Sequence, residues 1–144
     1  MQQTEELLRP FRQVAEIAKP RRGWVRSIQE ALGVTNVQLA KKLNLKPQTI
    51  EDMQGYEVSE TIKIQTLRKL ADALGCRLIY AIVPAKPLED MRLDRAREVA
   101  RRQLQHVSHS MRLESQGVPD SEEAKEFDRL VKDLLTGNPK KLWE

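Results

Sequence analysis

Apolar residues recur at three- and four-residue intervals through most of the 144-residue chain, the period of helices with one buried face. The clearest stretch is 35–56, TNVQLAKKLNLKPQTIEDMQGY, which predicts two short helices joined by a turn. Thr35 can cap the first, its hydroxyl accepting from the free backbone N–H groups that open a helix. Val37, Ala40 and Leu43 form the inward stripe, with Gln38, Lys41 and Lys42 on the other side. The small Ala40 allows two helices to cross closely. Asn44-Leu45-Lys46 is the turn, with Leu45 as a buried plug. Pro47 opens the second helix at a position where its missing N–H costs nothing. Ile50 and Met53 point inward, and Gly55 ends the helix. Lys46, Gln48, Thr49 and Asp52 remain on its exposed leading face. Short donors and acceptors so placed are what a protein presents to base edges in a major groove.

The same period flanks this pair. A preceding helix over 24–32 buries Trp24, Ile28 and Leu32 and closes at Gly33; a following one over 64–74 buries Ile64, Leu67, Leu70, Ala71 and Leu74 and closes at Gly75. Helix, helix-turn-helix, helix, each with its caps, resembles the DNA-binding domain of Cro and lambda-type repressors, the xenobiotic-response-element family, over about residues 24–75. The resemblance implies that Asn36, at the start of the motif's first helix, touches a phosphate, and that Gln48, Thr49 and Asp52 face bases. Lys41, Lys42 and Lys46 can add phosphate attraction, together with the positive end of the helix. Glu51 and Asp52 are acidic where many DNA readers are basic, although an acid can accept from cytosine N4.

Elsewhere the pattern is looser. Leu7, Leu8, Phe11, Val14 and Ala18 make a helical stripe through Pro10, which predicts a kink or a start at Pro10. Arg21 and Arg22 lie in a linker before the motif, where cations can grip phosphates or a minor groove; a merely solvated linker is the alternative. Leu78, Ile79, Tyr80, Ala81, Ile82 and Val83, rich in β-branched residues and closed by Pro84, predict a strand. One strand alone cannot persist. Pairing with the same strand of a second copy across a two-fold axis predicts a homodimer, with recognition helices about 34 Å apart on a palindromic operator. A long helix runs from Leu88 to about Leu113, burying Leu88, Met91, Val99, Leu104, Val107 and Met111 and leaving Arg95, Arg97, Arg101 and Arg102 solvated. Gly117-Val118-Pro119 breaks it, Asp120 caps the next helix with Glu123 in a capping box, and that helix buries Ala124, Phe127, Leu130, Val131 and Leu134. Leu142 and Trp143 fold back onto a helix. The expected fold class is mainly α: an N-terminal helix and basic linker (1–22), a lambda-repressor-like helix-turn-helix domain with one short dimerising strand (23–84), and a C-terminal helical extension (85–144).

Composition narrows the functions. Aromatics at 4% argue against a stacking platform for single-stranded nucleic acid, while a net charge of +4 is compatible with a duplex partner. His106 and His109 lack a third ligand, and no nucleophile–base pair or glycine-rich phosphate loop is visible, so neither cofactor, metal nor enzymatic activity is expected. The single Cys76 fits a reducing compartment. The absence of a membrane-length apolar run or a signal-like N-terminus predicts a cytoplasmic protein.

Taken together, RGWVRSIQEALG, TLRKLADALGCRLIYAIVP, LEDM followed by arginines, HVSHSM and GNPKKLWE resemble the family called "mobile mystery protein A" over nearly the whole chain. That family is encoded beside a Fic-domain partner, "mobile mystery protein B", and Fic domains transfer AMP from ATP to proteins. The resemblance implies an antitoxin-like regulator that binds DNA and restrains its partner. Fic antitoxins present a helix with Ser/Thr-x-x-x-Glu-Gly/Asn; Ser110 and Glu114 fit this, with Ser115 departing at the last position. The expectation is a dimeric transcriptional repressor of its own operon. The alternative is a protein-interaction antitoxin whose helix-turn-helix is scaffold only.

Overall fold

The structure, a computed structural model, describes residues 1–113 and 120–144, with side chains described for 1–106 and 121–144. Its helices are α1 (Gln2–Val14), α2 (Trp24–Leu32), α3 (Asn36–Leu43), α4 (Pro47–Val58), α5 (Ile64–Ala73), α6 (Leu88–Leu113), α7 (Asp120–Thr136) and α8 (Pro139–Leu142). The chain divides into two compact units, Phe11–Ile82 and Met1–Pro10 with Val83–Glu144. α1 continues through Pro10.

In the unit Phe11–Ile82, Val25, Leu39, Ala40, Ile50 and Leu70 form the core, with Leu43, Met53, Ile62, Leu67 and Leu74 packed around it. Leu39, Ala40 and Leu70 are each 1% exposed and Ile50 is 0%, so α3 is gripped between α4 and α5. Full burial of a leucine or isoleucine side chain stabilises by about 1.5–3 kcal/mol. The connections are tight because α3 ends in a left-handed residue, Asn44 (φ 55°). This lets Leu45 N donate to Ala40 O (2.8 Å) and Asn44 N to Lys41 O (3.3 Å), a Schellman closure. Thr35 Oγ1 accepts from Gln38 N, and Gln38 Oε1 accepts from Thr35 N, the reciprocal capping box.

Several faces differ from the sequence reading. The inward side of α2 is Val25 and Gln29, while Trp24 and Leu32 are exposed; the helix is rotated because polar groups on two of its neighbours take up Gln29. Val37 and Ile64 are also exposed, and Leu45 is only partly covered. α4 does not stop at Gly55. It continues to Val58 and closes through Glu60 (φ 62°), with Glu60 N donating to Glu57 O and Thr61 N to Tyr56 O. No strand forms over Leu78–Val83 within one chain: residues 76–84 carry no regular secondary structure. β-branched composition favours extended backbone, but a ladder needs a second edge, and one chain supplies none here. Ile79, Tyr80 and Ile82 stand exposed.

The other unit is a helical hairpin of α6 and α7 closed by α8. Its seam is Ala96 and Ala100, both 0% exposed, with Val131 and Leu142. Two alanines one turn apart let the facing helix approach closely, and this leaves Met91 outside the buried core and 37% exposed. Ala124 is exposed too. Arg95 is not a solvated cation: its guanidinium donates to Leu142 O (2.7 Å) and Glu144 O (3.4 Å) and lies 5.6 Å over the Trp143 ring. Leu142 folds inward as expected, and Trp143 serves as the plate beneath Arg95. Glu5 Oε1 accepts from Leu88 N (2.6 Å) at the start of α6. Among the described residues no helix is long and apolar enough to cross a membrane.

Candidate nucleic-acid interface

The proline-led helix α4 has two sides of opposite character. Its inward line is Ile50, Gln54 and Glu57, all buried, with Met53 partly covered. The three are held by different kinds of contact. Ile50 enters the aliphatic core. Gln54 Nε2 donates to Gln29 Oε1 on α2 (2.6 Å) and to Asn36 Oδ1 on α3 (2.9 Å). Glu57 accepts from Trp24 N (2.6 Å, Oε2) and Val25 N (3.0 Å, Oε1), so the C-terminal turn of α4 caps the N-terminus of α2. That cap replaces the missing side-chain cap at Gly23 and places negative charge at the positive end of the helix. Gly23 is obligatory there: its φ is +89°, and a Cβ would lie 2.8 Å from Glu57 Oε1.

The outward side is the polar set read from the sequence. Lys46, Gln48 and Asp52 are exposed and Thr49 is partly covered. Gln48 Nε2 donates to Asp52 Oδ1 (3.1 Å) across one helical turn, which pre-orders the Gln48 amide. Its Oε1 and second N–H remain available for the two-point contact that adenine accepts. The pairing also takes up part of the acceptor capacity of Asp52.

The other expected contacts divide. Lys41 and Lys46 are exposed, with room to meet phosphates. Lys42 Nζ is engaged with Ala73 O (2.7 Å) and serves first as a C-terminal cap of α5. Arg22 Nη1 pairs with Glu30 Oε1 (3.0 Å), whereas Arg21 is exposed. Asn36 is partly covered, its Oδ1 taken up inside by Gln29 and Gln54. Behind the motif, Lys19 is paired with Glu60, and that contact holds the Glu60 carboxyl below its ordinary value. The Ser110 side chain and Glu114 lie outside the described residues.

Gln29, Gln54 and Glu57 are the residues that sequence reasoning passed over. A signal was present: Gln29 follows Val25 by four, and Gln54 and Glu57 follow Ile50 by four and seven. Those are apolar positions of a helical stripe, and a polar residue in one announces a buried partner.

Residues 26–79 match the family model described as Cro/C1-type HTH DNA-binding domain, a span that includes α3, the turn, α4 and α5. No curated protein and no solved structure matches the chain. The helix-turn-helix within this protein is thus of the Cro/C1 type, the DNA-binding domain of a regulator.

Proposed function

We propose that the protein is a sequence-specific transcriptional repressor that acts without catalysis, by occupying an operator and excluding polymerase. The observation that carries this is the exposed line of Lys46, Gln48 and Asp52 on a helix whose opposite side is anchored through Ile50, Gln54 and Glu57. A polar surface so rigidly backed suits a groove better than a mobile protein partner. Two copies are required for a palindromic operator, and residues 78–83 are where they join. Exposed Ile79, Tyr80 and Ile82, on backbone without regular secondary structure, gain from pairing with a second copy. The whole-chain resemblance to "mobile mystery protein A" extends the reading: the protein represses an operon shared with a Fic-type AMP-transferase and acts as its antitoxin.

Binding to the duplex upstream of its own gene tests this. Affinity should fall steeply between about 50 and 200 mM salt, and Gln48→Ala should reduce preference for that duplex over a scrambled one. Loss of neither would favour the second reading, a protein-interaction antitoxin with a scaffold helix-turn-helix, which the exposed acids Glu51 and Asp52 on α4 support. Co-purification with the neighbouring gene product, and the AMP-transfer activity of that product with and without Glu114→Ala, test the antitoxin role. Unchanged activity in the presence of this protein defeats it.

A further inference from the structure

Behind the exposed face of the motif, three amides from three helices share one buried junction. Gln54 Nε2 donates to Gln29 Oε1 (2.6 Å) and to Asn36 Oδ1 (2.9 Å), and Gln29 Nε2 donates to Asn36 Oδ1 (3.0 Å) and to Val34 O (3.4 Å). Gln29 and Gln54 are each 3% exposed. An amide is two-faced, donor on one side and acceptor on the other, so the junction has only two self-consistent arrangements. In one, Asn36 turns its oxygen inward and its NH2 outward. In the other, all three amides reverse, and Asn36 presents its oxygen outward.

The carbonyl of Val34 decides between them, because it can only accept. It requires the NH2 of Gln29 on its side, which leaves Gln29 Oε1 facing Gln54. Gln54 must then donate to Gln29 and to Asn36, and its own Oε1 is turned away, buried without a partner. A buried acceptor left unmade costs free energy. Turning Gln54 alone would bring its oxygen against two other acceptors, so the orphan is a consequence of the order imposed on the junction. Asn36 Oδ1 receives both donors. Its Nδ2 has no partner among the described residues and is absent from the buried unpartnered atoms. It therefore emerges at the first residue of α3, where backbone N–H groups already favour an anion.

We propose that Gln29 and Gln54 are positioning residues for DNA binding: they touch no DNA, and they hold Asn36 with its NH2 outward as a donor to a backbone phosphate. The inference rests on the duplex-binding function proposed above. It goes beyond it in assigning an orientation to Asn36 and a role in affinity to two buried glutamines.

The test measures affinity of the full chain for a duplex carrying its own upstream sequence, beside the unfolding midpoint of each variant. Asn36→Asp keeps the inward acceptor and replaces the outward donor by an oxygen; it should bind about tenfold more weakly or worse. Gln38→Glu adds the same charge two residues away, where a glutamate can still serve the capping box, and should lose less than about threefold. Gln54→Met is similar in length and removes one of the two donors to Asn36 Oδ1, leaving Gln29 alone to hold the Asn36 amide. It should weaken binding about three- to tenfold, and cause no further loss when Asn36 is already alanine. If Gln54→Met does not fold, Gln29→Met makes the same test from α2. Equal losses for Asn36→Asp and Gln38→Glu overturn the inference, as does a Gln54→Met effect of the same size with and without Asn36. Failure of the unaltered chain to bind duplex overturns the function and the inference together, and is thereby distinguishable from failure of the inference alone.

Discussion

Replacing Glu57 by glutamine changes one oxygen for one NH2 and tests whether α4 truly caps α2. The carboxylate accepts two backbone N–H bonds, 2.6 Å from Trp24 and 3.0 Å from Val25. An amide can serve only one of them, and its NH2 then faces the other donor. The loss is one hydrogen bond to a charged group plus one orphaned N–H at a buried helix start, about 1–3 kcal/mol after the gain from no longer burying a charge. For a unit the size of Phe11–Ile82 this lowers the midpoint by about 5–20 °C. The two tryptophans lie one in each unit, Trp24 and Trp143, so in a Trp143→Phe background the fluorescence of Trp24 reports the right transition. Gly23→Ala supplies the cross-check. Its Cβ would meet the Glu57 carboxylate at 2.8 Å and hold φ near +89°, a steric and a torsional cost of about 1–3 kcal/mol together. With Glu57→Ala the steric part disappears and the torsional part stays, so the two substitutions should cost less together than their sum. Strict additivity, or a Glu57→Gln midpoint within about 1 °C of the unaltered chain, refutes the cap.

Three other outcomes follow from the packing and the charges. Ile50→Ala empties a 0% exposed site in the core behind α4, and urea unfolding followed at Trp24 should show a loss of about 2–5 kcal/mol. Ala96→Leu forces a larger side chain into the α6–α7 seam, where Ala96 is 0% exposed; it should cost about 1–3 kcal/mol, visible in the Trp143 transition and absent from that of Trp24. In the same unit the Asp94 carboxyl is held below its ordinary value by Lys86, and that of Glu98 by Arg102 and Arg95. A depressed carboxyl contributes stability above its ordinary pKa and loses it as pH falls through the depressed value. Melting of that unit should therefore decline in acid at low salt, and Glu98→Gln should shallow the decline. These pairs are exposed, so the effect should be small and fade with salt.

The helix-turn-helix was legible because its signals are local. Thr35, Pro47, the Asn44 turn and the inward Ala40 and Ile50 each act within a few residues of where they stand. The interhelical polar contacts were not, since Glu57 caps a helix that begins 33 residues earlier and Gln54 joins partners 25 and 18 residues away. Periodicity also misplaced the faces of α2 and α6. It counts apolar side chains and so favoured Trp24 and Met91 over Gln29 and the small Ala96 and Ala100, which pack closest to their neighbours. The run 78–83 forms no strand within one chain, because composition describes what a backbone prefers and says nothing about whether an edge is at hand.

The inward line of α4 passes from aliphatic at Ile50 to amide at Gln54 to carboxylate at Glu57, and this gradient explains how a short helix is aimed. Aliphatic contact holds a helix against its neighbours but resists rotation about its axis weakly, since dispersion falls off smoothly with small displacements. Hydrogen bonds are directional. Gln54 and Glu57 stand three residues apart and bond to fixed points on α2 and α3, so a turn of α4 by one residue position, about 100°, would break all four of their bonds at once. The same turn would exchange Gln48 for Thr49 at the leading edge. The bonds that cap α2 and join the amide junction thus also select which side chains α4 presents. A variant that keeps Ile50 while losing both polar anchors, Gln54→Met with Glu57→Ala, should remain helical by circular dichroism yet lose discrimination between operator and scrambled duplex more than it loses affinity for either. Discrimination retained in that folded variant would mean that aliphatic packing alone sets the angle.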